Sequence, residues 1–239
     1  MVAPNCDQHP LGQIASQFKE FLLLRQEQGR RYFPGRRKNA GRIQTPNRGR
    51  EGTLSLESLA QAIGCCNKCR LSQQRTQGVP GQGNTKAWLM VVGEGPGYEE
   101  DRQGRPFVGP AGELLTRMLK AIDLNREDVY ITNVVKCRPP ENRVPREDEV
   151  QSCFHFLTEE INSLHPKLLL ALGGSAAQTL ARSKDRISQL RRENLSFEGI
   201  SVKATYHPAF LLRNPEYKKE AWEDLKEVRR FYHGLAEKK

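Results

Sequence analysis

Four short apolar runs, each separated from the next by residues of helical periodicity, constrain this chain more than any other feature. Trp88 to Val92 (WLMVV) is continuous and ends at Gly93; Val129 to Val135 (VYITNVV), Lys167 to Leu172 (KLLLAL) and Ile200 to Tyr206 follow. Continuous runs of this length suit strands buried on both faces, as in a parallel sheet covered by helices. Between them, Leu114, Leu115, Met118, Leu119 and Ile122 recur at helical spacing within Gly112 to Asp123. Val150, Cys153, Phe154, Leu157 and Ile161 form the inner stripe of a helix from Arg146 to Leu164; GGSAAQTLA opens another helix, and Tyr217 to Gly234 reads as the last. The pattern predicts an α/β fold of three layers, α/β/α, around a central, mostly parallel four-stranded sheet.

In such sheets ligands bind beyond the carboxyl ends of the strands. The conspicuous short motifs fall there: GEGPG after the first run, Asn133 late in the second, GGS after the third and His207-Pro208 after the fourth. Four convergent loops predict one site.

Size and charge bound the rest. A chain of 239 residues buries one substantial core, and the alternating pattern predicts a main domain over 54–239. Residues 1–53 read as an appendage, in which Ile14, Phe18, Phe21, Leu22 and Arg25 fit an amphipathic helix and PGRRKNAGRIQTPNRGR a flexible linker. The formal net charge is +10, but Arg30 to Arg50 carries eight Lys and Arg and no acid, leaving +2 for everything else. A nucleic-acid site on the main domain is therefore expected to be a local basic patch, with the Arg-rich segment either adding non-specific affinity through counterion release or serving as a partner-docking tail. No apolar run approaches the roughly 18 residues that span a bilayer, and the first residues lack a secretory pattern. The expectation is a soluble cytoplasmic protein without a membrane partner, acting as a monomer.

In a reducing compartment the six cysteines pose a question about metal rather than disulfides. Cys66-x2-Cys69 precedes the first run, and Cys137 and Cys153 flank a Pro-rich loop and the start of a helix. Two pairs of soft thiolates suit either zinc or an iron-sulfur cluster. Cys65 competes with Cys66 through a less usual spacing, and Cys6 has no evident role.

VVGEGPGYEED, at 91–101, lacks the GK[ST] ending of a phosphate-binding loop and the third glycine of GxGxxG. It remains a sharp loop with backbone amides and the acids Glu94, Glu99, Glu100 and Asp101 close by. Taken alone, those acids suit the start of a helix, where carboxylates meet the positive end of the dipole.

GEGPGYEEDRQGRPFVGPAGELL, VYITNVVKCRPPENRVP, LLLALGGSAAQTL and TYHPAFLLR, in this order around the cysteines, resemble the bacterial and archaeal iron-sulfur uracil-DNA glycosylases known as family four. The resemblance covers residues 59 to 232. It implies a [4Fe-4S] cluster on Cys66, Cys69, Cys137 and Cys153, and as partner single- or double-stranded DNA containing uracil. The activity implied is monofunctional hydrolysis of the N-glycosidic bond, the first step of base-excision repair.

The same resemblance assigns roles. Phe107 stacks on the flipped base and Asn133 reads it: an amide accepts from uracil N3-H and donates to O4, whereas cytosine presents the opposite pattern. His207 hydrogen-bonds the base oxygen as negative charge develops on the leaving uracil. Backbone at Glu94, Gly95 and Pro96 lines the pocket and orients water. Better-known uracil glycosylases carry an aspartate where this chain has Gly95, so Glu100 or Asp101 is a candidate carboxylate, Glu100 being expected near uracil C5 and Asp101 at the helix start. Gly174, Ser175, Arg138, Arg143 and Arg213 are expected on the DNA backbone. Rival readings are a glycosylase of broader base range and a binding module without turnover; the joint presence of Phe107, Asn133 and His207 argues against the second.

Overall fold

The computed structural model describes residues 55–236. The appendage expected over 1–53 lies outside them. In chain order the elements are α1 (Leu56–Cys65), β1 (Gln82–Gly83), β2 (Leu89–Gly93), α2 (Tyr98–Gln103), α3 (Pro110–Lys120), β3 (Tyr130–Asn133), α4 (Glu147–Leu164), β4 (Leu168–Leu172), α5 (Gly174–Ala181), α6 (Ile187–Leu190), β5 (Leu195–Phe197), β6 (Ile200–Thr205), α7 (Pro208–Arg213) and α8 (Lys218–Ala236).

The strands form one sheet of order β1-β3-β2-β4-β6-β5. Its centre, β3-β2-β4-β6, is the parallel four-stranded sheet expected from the apolar runs. Among the described residues the sheet has six strands rather than the expected four, because β1 and β5 add antiparallel edges. Both are two or three residues long and carry exposed positions, so neither leaves an apolar run to read. β5 joins β6 through Glu198 and Gly199, both at positive φ (48° and 85°), the geometry that two-residue hairpin loops favour.

Successive strand side chains alternate between two apolar clusters. Met90, Val92, Leu169, Ala171, Val202 and Ala204 pack with α1, α4 and α5. Leu89, Val91, Ile131, Leu168, Leu170 and Leu172 pack with α3, α7 and α8. All five residues of β2 and of β4 are buried, each large apolar side chain contributing about 1.5–3 kcal/mol. This gives the three layers.

Helix starts follow local chemistry. Pro110 occupies the first position of α3, where its fixed φ and missing N-H cost nothing. In α4 the Glu149 carboxylate accepts from Arg146 N at 2.8 Å, and three acids occupy the first turn. That start places Cys153 and Glu160, seven residues apart, on the inner face of the helix. Among the described residues no helix is long and apolar enough to cross a membrane.

Candidate active site

The loops beyond β2, β3, β4 and β6 converge. Gly93 ends β2 with its Cα against the Asn133 carboxamide and the Phe107 ring; an added Cβ would collide with Asn133 Oδ1 and stand 2.5 Å from Phe107 Cζ. Only glycine allows this approach. Gly95 is closed in the same way, since a Cβ there would lie 2.7 Å from Val135 Cγ2. A side-chain acid at this position would require Val135 to move. Gly173, after β4, lies against His207, and the Glu94 carboxyl is hydrogen-bonded to Ser175 at the start of α5. The Phe107 and His207 rings are 5.7 Å apart and tilted by 31°.

Asn133 is 1% exposed, and its Oδ1 is buried without a hydrogen-bond partner. Such an acceptor costs about 1–3 kcal/mol. Buried polar atoms are otherwise almost always paired, so the open acceptor beside an aromatic ring is free to take a hydrogen bond from a water or a ligand donor.

Phe107 has φ +53°, a left-handed conformation costing on the order of 1–3 kcal/mol in a bulky residue. Its surroundings impose that conformation. Glu100 Oε1 accepts from Val108 N and Gly109 N, both at 2.9 Å, while Oε2 accepts from Gly97 N at 3.1 Å. The Arg126 guanidinium donates to Phe107 O at 2.8 Å and to Pro106 O. Arg126 escaped the reading of the sequence, because nothing in NREDV distinguishes a guanidinium turned inward from one in solvent.

His207 caps α7, its Nδ1 accepting from Ala209 N at 3.1 Å. A ring nitrogen that accepts carries no proton, so the neutral ring holds its proton on Nε2. Burial pushes the pKa down to about 4, and the Arg213 charge adds to the effect. His207 is thus a neutral donor at neutral pH.

The acids divide. Glu100 is the clamp of the Phe107 loop just described. Asp101 accepts from Thr76 N at 2.9 and 3.0 Å and from Gln77 N at 3.5 Å, anchoring the chain ahead of β1. Both acids are buried and engaged with main chain. Glu94 instead faces another loop, and its pKa is raised by burial, partly offset by the Ser175 bond.

The basic residues divide as well. Arg143 holds Glu149 through paired bonds of 2.8 and 2.7 Å, Glu149 being fully buried, and so fastens the Pro-rich loop to α4. Arg138 donates to Asn142 Oδ1 at 2.8 Å and lies 5.1 Å over the Tyr98 ring. Arg213 is exposed at the end of α7, and Gly174 and Ser175 open α5.

Cys66, Cys69, Cys137 and Cys153 belong to one apolar cluster. Burial pushes the Cys137 thiol up to about 11 and the Cys153 thiol up to about 12, and Cys66 adds to both shifts. Arg75 Nη1 donates to Cys137 Sγ at 2.9 Å and to Ile63 O at 3.0 Å, while Nη2 donates to Gly64 O at 2.7 Å and Cys66 O at 3.0 Å. Lys136 N donates to Cys153 Sγ at 3.3 Å. Among the described residues no three His, Cys, Asp or Glu side chains are gathered tightly enough to hold a metal ion as they stand. The donor set fits a thiolate-bound cluster all the same. It offers four soft sulfurs in one apolar cluster, with N-H donors on two of them.

A family model described as the uracil DNA glycosylase superfamily matches residues 80–226. The chain is 42% identical over 185 residues to a type-4 uracil-DNA glycosylase of Archaeoglobus fulgidus, covering 73% of this chain and 92% of that one. It is 42% identical over 180 residues to a type-4 uracil-DNA glycosylase of Thermotoga maritima, covering 74% and 94%. A type-5 uracil-DNA glycosylase of Pyrobaculum aerophilum is more distant, at 34% over 148 residues, covering 55% and 65%.

Proposed function

The chain belongs to the type-4 family of the uracil-DNA glycosylase superfamily, and on this ground we propose that it removes uracil from DNA by hydrolysing the N-glycosidic bond, leaving an abasic site. The observation that carries the reading is the unpaired Oδ1 of buried Asn133 beside the Phe107 ring. Uracil brings an N3-H donor to that oxygen and an O4 acceptor to the amide nitrogen. Cytosine brings an acceptor at N3 and a donor at N4, so both contacts become unfavourable. Buried polar complementarity of this kind discriminates by about 10⁴ or more, which an apolar pocket does not.

Phe107 stacks on the base, its ring held by the loop that Glu100 and Arg126 clamp. As the bond to the sugar breaks, the electron pair moves onto the base, and His207 donates its Nε2 proton in a hydrogen bond to the base oxygen. A neutral donor keeps its proton and stabilises the uracil anion without a titration step. Glu94, with the Gly95 and Pro96 backbone, orients the attacking water; Glu100 and Asp101 act by holding the site in shape. The first residues of α5, Gly174 and Ser175, with Arg138 and Arg213, contact the DNA backbone. Arg143 contributes by fixing its loop.

Cys66, Cys69, Cys137 and Cys153 would hold a [4Fe-4S] cluster, which when bound ties the segment after α1 to the loop after β3 and to α4. Arg75 and the Lys136 main chain supply N-H donors to its ligands.

The test is incubation of the purified protein with uracil-containing single-stranded and duplex oligonucleotides, followed by alkaline cleavage, together with iron and sulfide analysis. Strand breaks confined to uracil positions are expected. Intact strands from cluster-loaded protein would reject the activity, and stoichiometric zinc in place of iron would reject the cluster.

A further inference from the structure

Directly behind the candidate base reader lies a buried ion pair that the reaction itself does not use. Lys136 and Glu160 are each 1% exposed. The three ammonium protons of Lys136 are matched by three acceptors: Thr132 Oγ1 at 2.6 Å, Asn133 O at 2.8 Å and Glu160 Oε2 at 2.7 Å. Glu160 Oε2 also accepts from Thr132 Oγ1 at 2.8 Å, and Oε1 accepts from Gly81 N at 3.0 Å. Main-chain bonds extend the network, with Val79 N donating to Lys136 O at 2.8 Å and Lys136 N donating to Cys153 Sγ. Every polar atom of the pair is satisfied.

Burying a lysine and a glutamate together is a poor way to gain stability, because desolvation offsets most of their attraction and apolar residues of like volume often do better. The geometry suggests another use. Asn133 must keep Oδ1 unpaired until a base arrives, so no hydrogen bond to that atom can orient the side chain beforehand. Besides its packing against Gly93 and Phe107, the side chain is oriented through its main chain. On one side the parallel ladder holds it, Gly93 standing opposite Asn133 and Val134 N donating to Gly93 O at 2.9 Å. From behind, Lys136 grips the Asn133 carbonyl, and Glu160 anchors Lys136 to α4, the helix that also carries Cys153.

We propose that Lys136 and Glu160 are positioning residues that fix the Asn133 backbone so that its carboxamide meets the uracil edge; the role rests on Asn133 being the uracil reader. The network also links that reader to two of the four cysteines through the main chain of Lys136 and through α4.

The test compares wild type with the neutral double variant Lys136→Met/Glu160→Gln, which removes both charges together and leaves no bare buried ion. Free uracil serves as the probe through its inhibition of excision, and affinity for an abasic-site duplex is measured alongside. Loss of one charged, buried hydrogen bond to the reader's carbonyl should raise the uracil inhibition constant about tenfold or more. Abasic-duplex affinity and iron content should stay within about twofold, a split that a merely structural role would not produce. Thr132→Val, which keeps both charges and removes one acceptor of the ammonium, should give the same split at smaller amplitude and serves if the double variant fails to fold. An unchanged uracil inhibition constant in a folded variant would overturn the proposal, as would equal losses of uracil and abasic-duplex binding. A wild-type protein that neither excises nor binds uracil would instead reject the reading of the site itself.

Discussion

Thr132 and Asn133 are neighbours on β3 and face opposite sides of one sheet, yet their polar atoms are treated in opposite ways. Thr132 Oγ1 donates to Glu160 and accepts from Lys136. Asn133 Oδ1, buried just as deeply, has no partner. A fold that satisfies every group behind the strand and leaves one acceptor open in front of it has not run out of donors. In the proposed function, the open acceptor is where uracil completes the structure.

The sharpest way to break this contrast is to remove one group from each side. Asn133→Ala should reduce uracil excision by about 10³-fold or more, measured under single turnover. Its urea midpoint should stay near wild type, since no protein bond to Oδ1 is lost. Lys136→Met should act in the opposite sense, costing stability on the order of 3–5 kcal/mol because Glu160 is left buried and unpaired. Equal stability losses in the two variants would dissolve the distinction between front and rear.

His207 allows the front to be probed by pH. Its pKa is depressed to about 4 by burial and by Arg213, so the neutral donor form prevails well below the ordinary histidine value. Excision should be level from about pH 6 to 8 and fall only as pH drops toward the depressed value. An inflection near the ordinary histidine pKa of about 6.5 would place His207 in solvent instead. The linked stability has the same sense: the unfolded chain takes up the proton first, so the folded state weakens as pH falls from about 6.5 toward 4.

Arg143 offers the smallest effect and a discriminating one. Its guanidinium is taken up by buried Glu149, which keeps the Arg146 N-H and the Arg70 guanidinium when Arg143 is removed, so Arg143→Ala should cost less stability than Lys136→Met and leave the salt dependence of DNA binding unchanged. A flatter salt dependence would restore the phosphate contact expected from the sequence.

The parallel strands and the order of their loops were legible because burial on both faces writes itself as uninterrupted apolar runs. β1 and β5 were not, being two or three residues long at exposed edges. Phe107, Asn133 and His207 could be picked out together through the family likeness, and the fold brings them together around Gly93, whose part only the structure shows. The division of labour among the acids and arginines stayed hidden. Whether Glu100 faces a substrate or three backbone amides, or Arg143 a phosphate or Glu149, depends on where a loop lies in space. Spacing along the chain carries no such information. Lys136 was hidden for a related reason: a lysine in a Pro-rich, Cys-bearing stretch reads as exposed, and only the fold shows Glu160 standing opposite it.

Reading of the base by the open carboxamide of Asn133 stands or falls on single-turnover excision by Asn133→Asp, measured on matched uracil and cytosine oligonucleotides. A carboxylate cannot donate to uracil O4, and in its protonated form it can serve the edge of cytosine. The preference for uracil over cytosine should therefore fall by about 10² or more, with uracil excision itself impaired. Unchanged selectivity would remove Asn133 from the reading position.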